Sequence, residues 1–198
     1  MLIYDLEIAN AIPDRHGTRE EGISYCEGWN DHAGMGIATI AVFDYVRERP
    51  RVFCRDNLAE FVTLISKQEC IVGYNNLRFD NKVLEAAGLP PIPAEKCYDL
   101  LVEVWRGVGL GPDFRPETHG GYSLDAMCRV NFKATKTGPG ALAPINFQRG
   151  NLGAVIDYCL ADVYLTKRLL DRVIRCGLLI DPKTGEGIPV RKPGGIQQ

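Results

Sequence analysis

The chain's 198 residues suit one compact domain, long enough to bury a core without covalent staples. A composition of 45% apolar and 24% charged residues argues against global disorder. The formal charge of −2, from 23 Lys+Arg against 25 Asp+Glu, excludes a strongly basic nucleic-acid coat but leaves room for a local basic patch.

In chain order, residues 1–8 predict a short strand whose apolar run is interrupted only by Asp5 and Glu7. Residues 10–34, rich in Gly, Asp, Glu, Asn and His, predict an irregular excursion. Residues 36–45 and 51–54 predict two strands joined by a turn at 47–50. Asn57 predicts the cap of a helix carrying Leu58, Phe61, Val62 and Ile65 at helical spacing. Residues 70–74 predict a short buried strand, and 79–87 a helix stopped by Gly88 and two prolines. A brief strand at 97–98 leads into a helix over 99–106, and the Gly- and Pro-rich stretch 107–121 predicts loop. Ser123 caps a helix to about Val130, and 131–150 predicts a partly ordered loop. The last strong element is a helix over 151–176, ended by Gly177 and carrying a long apolar stripe. The tail from Asp181 to residue 198 predicts a loose attachment to a domain spanning 1–180. Strands followed by alternating helices and strands predict an α/β domain.

Seven cysteines stand singly with no C-x-x-C pair, and the three histidines lie far from any paired spacing. That argues against a zinc site or a disulfide framework and fits a reducing interior. The first residues lack a basic segment and meet carboxylates by position 5, unlike a signal peptide, and no apolar run approaches the ~18 residues of a membrane span. The expectation is a cytoplasmic protein without membrane contact.

Three short patterns carry possible chemistry. Asp5-x-Glu7 on a strand places both carboxylates on one face, where their repulsion calls for a cation between them. The bland reading is two solvated acids on an edge strand, but the apolar neighbours Leu2, Ile3, Leu6 and Ile8 weigh against it. Asn75-x-x-x-Phe79-Asp80 falls at a strand-to-helix junction, where Asp80 also suits the first turn of a helix simply by its charge. Tyr158-x-x-x-Asp162 shares one face of the last helix, beside its apolar stripe. Four carboxylates around one phosphate make sense only with cations, and an oxygen-only donor set suits Mg²⁺ or Mn²⁺.

Taken together and in this order, the patterns resemble the three motifs of the DEDD 3′→5′ exonuclease superfamily in its tyrosine subtype. The histidine subtype would place His five residues before Asp162, where Asp157 stands. Tyr98-Asp99-Leu100, Tyr122-Ser123-Leu124-Asp125 and Tyr158-Cys159-Leu160-Ala161-Asp162 are similar to stretches of the proofreading exonuclease domain of family B DNA polymerases, over most of residues 1–175. The resemblance implies an RNase H-like fold, a mixed five-stranded sheet flanked by helices with one strand antiparallel, in a stand-alone exonuclease. It implies two-metal hydrolysis, with Asp5, Glu7 and Asp162 at one ion, Asp5 and Asp80 at the other, and Tyr158 orienting the water. It places Asn75 and Phe79 at the terminal nucleotide, with Ile8 beside the 3′ end where many members carry a small or hydroxyl residue. The implied substrate is single-stranded DNA, with RNA the alternative, and replication or repair proteins are partners by analogy only.

Arg78, Lys82, Lys133, Lys136 and Arg149 lie in or beside the motif segments and are candidates for phosphate contact, Lys133 and Lys136 foremost. Each alone is better explained as a solvated surface cation. Tyr4, Tyr74 and Phe79 are candidates for stacking on bases. Gly28-Trp29-Asn30-Asp31 admits two readings, part of the terminal pocket or a pin for its loop. A catalytically silent binding module on the same fold is the competing class, but it would gain nothing from acids that repel phosphate.

Overall fold

Why the chain builds outward from its first strand is visible in β1 (Leu2–Ile8), which is buried along nearly its whole length. The computed structural model describes residues 1–14, 16–135, 138 and 140–194. Along β1 the even residues Leu2, Tyr4, Leu6 and Ile8 enter one apolar core. Ile3 enters the other, so the period-2 pleat turns Asp5 and Glu7 toward that second layer. Next to β1, β2 (Ile37–Asp44) runs antiparallel and pairs in turn with β3 (Arg49–Phe53). On the opposite side β4 (Ile71–Gly73) and β5 (Cys97–Asp99) run parallel to β1. The five-stranded order is β3-β2-β1-β4-β5, with β2 alone reversed.

Helices cover both faces. In chain order they are α1 (His32–Met35), α2 (Leu58–Ser66), α3 (Asp80–Ala86), α4 (Leu100–Gly107), α5 (Pro116–His119), α6 (Leu124–Phe132), α7 (Ala143–Gln148) and α8 (Leu152–Cys176). Phe61, Leu64 and Ile65 of α2, with Val83 and Leu84 of α3, close the core on one face. On the other, α8 crosses β1 and β2 with Cys159, Val163, Leu170 and Val173 inward, and ends at Gly177 in the left-handed region. No helix among the described residues is long and apolar enough to cross a membrane.

The structure departs from the sequence reading at four places. β3 starts at Arg49 rather than 51, and Pro50 pairs with Phe43 because β3 is an edge strand, where a missing donor faces solvent. The stretch 107–121 contains α5, started by Pro116, and 131–150 contains α7, started near Pro144; in both, the proline opens a helix instead of breaking one. Asn57 does not cap α2 with its side chain, which accepts instead from the Cys54 N–H at 2.7 Å.

The fourth is the C-terminal segment, which is not loose between 181 and 194. β6 (Leu178–Ile180) and β7 (Gly187–Pro189) form an antiparallel pair, and Leu179, Ile188 and Val190 are buried in the α8-side core. The Tyr98 hydroxyl donates to the Arg191 carbonyl at 2.5 Å. β7 lies so close to α4 that a Cβ on Gly107 would stand 2.2 Å from the Pro189 carbonyl oxygen. Apolar side chains spaced among Lys, Thr and Gly, as in this segment, carry no long periodic signal, which is why the hairpin is hard to read from sequence. Ile188→Ala is expected to lower unfolding free energy by about 2–4 kcal/mol in urea titration, with an unchanged slope; a loose tail would leave the midpoint where it was.

Candidate active site

The site forms where β1 runs out beside the first turn of α3 and the middle of α8. Asp5 and Glu7 point from one strand face toward α8, which presents Tyr158 and Asp162 one turn apart. Asp80 reaches the same place from α3 because its Oδ1 accepts the Leu6 backbone N–H, at 3.1 Å, between the two strand acids. Three sequence-distant segments thus deliver four carboxylates and a phenol to one cleft of about 740 Å³. Glu7, Asp80 and Asp162 are only 8%, 5% and 3% exposed.

The remaining walls come from three sources. Ile8, Tyr74, Asn75 and Phe79 line one side, and the excursion after β1 contributes Ile12, Pro13, Asp14 and Trp29. Gly140, Ala141 and Pro144 close the side next to Tyr158, whose hydroxyl would lie 3.3 Å from a Cβ on Gly140. Gln148 at the end of α7 ties these walls together: its Oε1 accepts the Ser24 N–H at 2.7 Å, and its Nε2 donates to the Ala9 and Ser24 carbonyls at 2.9 and 3.0 Å.

The turn carrying Asn75 and Phe79 is shaped by Asp99. Its carboxylate accepts the N–H groups of Asn75 (2.9 Å) and Leu77 (3.1 Å) while capping α4 through Leu101 (3.0 Å) and Val102 (3.4 Å). Asn75 adopts a φ of 68°, a left-handed conformation that asparagine tolerates better than most residues. Burial raises the Asp99 carboxyl above the ordinary 3.8, with the surrounding N–H groups acting in the opposite direction.

Cys159, between Tyr158 and Asp162, lies fully buried under the strand acids. Ligand atoms of Asp5, Glu7 and Cys159 lie within 4.8 Å of one another. The thiol is placed as a hydrogen-bond donor to Asp5. Burial, and then the charges of Asp5 and Glu7, push its pKa well up, and Sγ sits 3.3 Å from the Asp5 carbonyl oxygen and 3.6 Å from its Oδ2. The oxygen donors that remain fit a hard divalent cation such as Mg²⁺ or Mn²⁺.

The structure brings Asp5, Glu7, Ile8, Asn75, Phe79, Asp80, Tyr158 and Asp162 together. Among the described residues, Arg78, Lys82, Lys133 and Arg149 are not part of the cleft lining. Lys133 is exposed at the left-handed C-cap of α6, and Lys136 lies outside the described residues. Arg78 lies over the Phe114 ring at 5.5 Å, Lys82 pairs with Glu85 at 3.4 Å, and Arg149 pairs with Glu20. Tyr4 is core, its hydroxyl donating to Asn81, while Tyr74 lines the cleft with its hydroxyl committed to the Tyr122 carbonyl at 2.5 Å. Sequence reasoning missed the roles of Asp99 and Cys159. An acid just before an apolar helix is a legible cap signal, but a single Cys inside an apolar stripe reads only as core.

Among solved structures, the chain is similar to the family B DNA polymerase from the hyperthermophilic archaeon Pyrobaculum calidifontis, with 18% identity and a TM-score of 0.59, over 87% of this chain and 24% of that one. Exonuclease I aligns with 16% identity and a TM-score of 0.44, over 88% of this chain and 40% of that one. The chain therefore spans about a quarter of the polymerase's length. No family model and no curated protein sequence matches it. The fold is α/β and of the RNase H-like type, a five-stranded mixed sheet flanked by helices.

Asp99 makes the turn testable apart from any catalysis. An acid with a raised folded pKa adds stability that is fully present below its unfolded value and lost as pH rises through the folded one. Asp99→Asn replaces one acceptor by a donor facing N–H groups and is expected to lower stability by about 1–3 kcal/mol. The gap to wild type should narrow as pH rises upward from 3.8, since only the wild type titrates there. Urea titrations of both proteins at stepped pH would expose a gap that widens instead.

Proposed function

We propose that this chain is a divalent-metal-dependent 3′→5′ exonuclease of the tyrosine-type DEDD class, acting on single-stranded nucleic acid with DNA favoured. The observation that carries this reading is the convergence of Asp5, Glu7, Asp80 and Asp162, from three segments, on one cleft that also holds Tyr158. A module that only bound nucleic acid would be weakened by such a lining, because unneutralised carboxylates repel phosphate.

Asp5, Glu7 and Asp162 would hold one Mg²⁺ or Mn²⁺, and Asp5 with Asp80 a second. Bound there, the pair of ions supplies charge neutralisation at the phosphate and a more acidic water. The chain's own groups do the positioning. Tyr158 orients the attacking water through its hydroxyl, and the Cys159 thiol steadies Asp5. Ile8, Asn75 and Phe79 form the seat of the 3′-terminal nucleotide. Water adds to phosphorus, the bond from phosphorus to the 3′ oxygen breaks, and that oxygen leaves with a proton as a new 3′ hydroxyl.

Incubation of 5′-labelled single-stranded DNA and RNA oligonucleotides with Mg²⁺ should give a ladder shortening from the 3′ end. EDTA or Asp5→Ala should abolish it with the fold intact, a 3′-terminal phosphate should block it, and closed circular single strands should survive. Rapid cutting of circles, or hydrolysis persisting through both EDTA and Asp5→Ala, would overturn the reading.

Tyr158→Phe should lower the single-turnover rate by about 10- to 10³-fold, the range expected for one positioned hydrogen-bonding group, with little change in affinity. Asp162→Ala should lower it further, and the double variant should fall short of the product of the two. An unchanged Tyr158→Phe rate would remove the tyrosine-type assignment even with all four acids essential.

A further inference from the structure

Trp29 is 69% exposed, the most exposed aromatic ring among the large apolar residues left in solvent, yet it lines the cleft. Its ring centroid lies 6.2 Å from that of Phe79, with the planes tilted by 58°, so the two form an open wedge and not a closed stack. The His32 ring meets the other margin of Phe79 edge-on at 6.4 Å.

The display of this indole is built. Asp31 closes the turn that carries it, with Oδ2 accepting the Glu27 N–H and Oδ1 the Gly34 N–H, each at 2.9 Å. Those two N–H groups, Glu27 first, hold the Asp31 carboxyl below its usual value. Cys26 on one side of the turn and Met35 on the other are buried in the α2–α3 core. Backbone hydrogen bonds from Ala11 to Ser24 and from Cys26 to Ala11, both 3.0 Å, fasten the excursion to itself. A rigid, anchored turn thus keeps a large apolar ring in water at the mouth of the cleft.

Five carboxylates are among the described residues that line that cleft, and carboxylates repel a phosphate backbone. Base stacking is the affinity source that such a wall supplies without charge, and it tolerates any base because every base has a π-face. We infer that Trp29 is a nucleobase-stacking residue that selects strands with unpaired bases at the 3′ end. This rests on the exonuclease reading and deepens it: the excursion after β1 sets substrate class, while the acids perform hydrolysis. A base still paired in a duplex has no free face to give to Trp29, so blunt ends are poor substrates.

The chain has two tryptophans, and the other, Trp105, is 2% exposed, so a ligand-induced change in tryptophan emission reports Trp29. Titration with a ten-nucleotide oligo(dT), with Ca²⁺ replacing Mg²⁺ to slow cleavage, should quench wild-type emission, whereas a blunt DNA hairpin should not. Trp29→Ala should raise KM on oligo(dT) by about 5- to 100-fold with kcat nearly unchanged, while Trp29→Phe should recover most of the loss. An abasic nucleotide at one of the last three positions of the oligonucleotide should reproduce the Trp29→Ala defect in wild type and add little in the variant. Its exposure means that Trp29→Ala should melt at the wild-type temperature, which controls for folding. Cleavage by wild type with no quench, or with Trp29→Ala within twofold of the wild-type KM, overturns the stacking role and leaves the exonuclease standing. Absence of both binding and cleavage in wild type overturns both.

Discussion

Like charges crowded at the exit of a buried strand are the constraint around which the molecule is arranged. Asp5 and Glu7 share a face of β1, the central strand of the five. Asp80 is fixed against the same strand by the Leu6 N–H, and Asp162 is carried in by a helix whose apolar stripe leaves no freedom of rotation. Carboxylates crowded in this way repel one another, and a cation among them would relieve that repulsion. The rest of the domain supplies the rigidity. The Asp99 carboxylate shapes the turn beside it, and the Cys159 thiol holds the Asp5 main chain from below.

The acids and the sheet were legible because their signals are local and periodic. Alternation placed Asp5 and Glu7 on one face, i, i+4 spacing did the same for Tyr158 and Asp162, and the uninterrupted stripe from Val155 to Val173 marked α8. What escaped was set by tertiary contact. Nothing in the sequence says that Arg78 will lie on Phe114, or that Arg149 will pair with Glu20 at a distance of 129 residues along the chain. The basic residues near the motifs therefore read as phosphate ligands when the fold has given several of them other partners. The hairpin of β6 and β7 escaped for a related reason, since its burial depends on a groove over α4 that exists only because position 107 has no side chain. Pro116 and Pro144 misled in the opposite sense: a proline breaks a helix from inside and starts one from its first turn, and composition alone does not tell which.

The cleft divides its labour by segment. Asp5, Glu7, Asp80, Tyr158 and Asp162 come from β1, α3 and α8, while Ile12, Pro13, Trp29 and Ala141 of the wall come from connecting segments. Groups borne by embedded elements keep their positions closely, whereas walls built from loops give way more readily.

Gln148 gives that division a mechanical side. Its one amide bonds the end of β1 at Ala9 and the excursion at Ser24, and it sits on the last turn of the helix that closes the Tyr158 side. Displacing α7 breaks bonds to both of the other segments, so opening on this side costs contacts in all three. The excursion, the end of β1 and α7 are held as a collar with several clasps, since the Arg149–Glu20 pair and the Ala11–Ser24 backbone bond fasten the same segments beside Gln148.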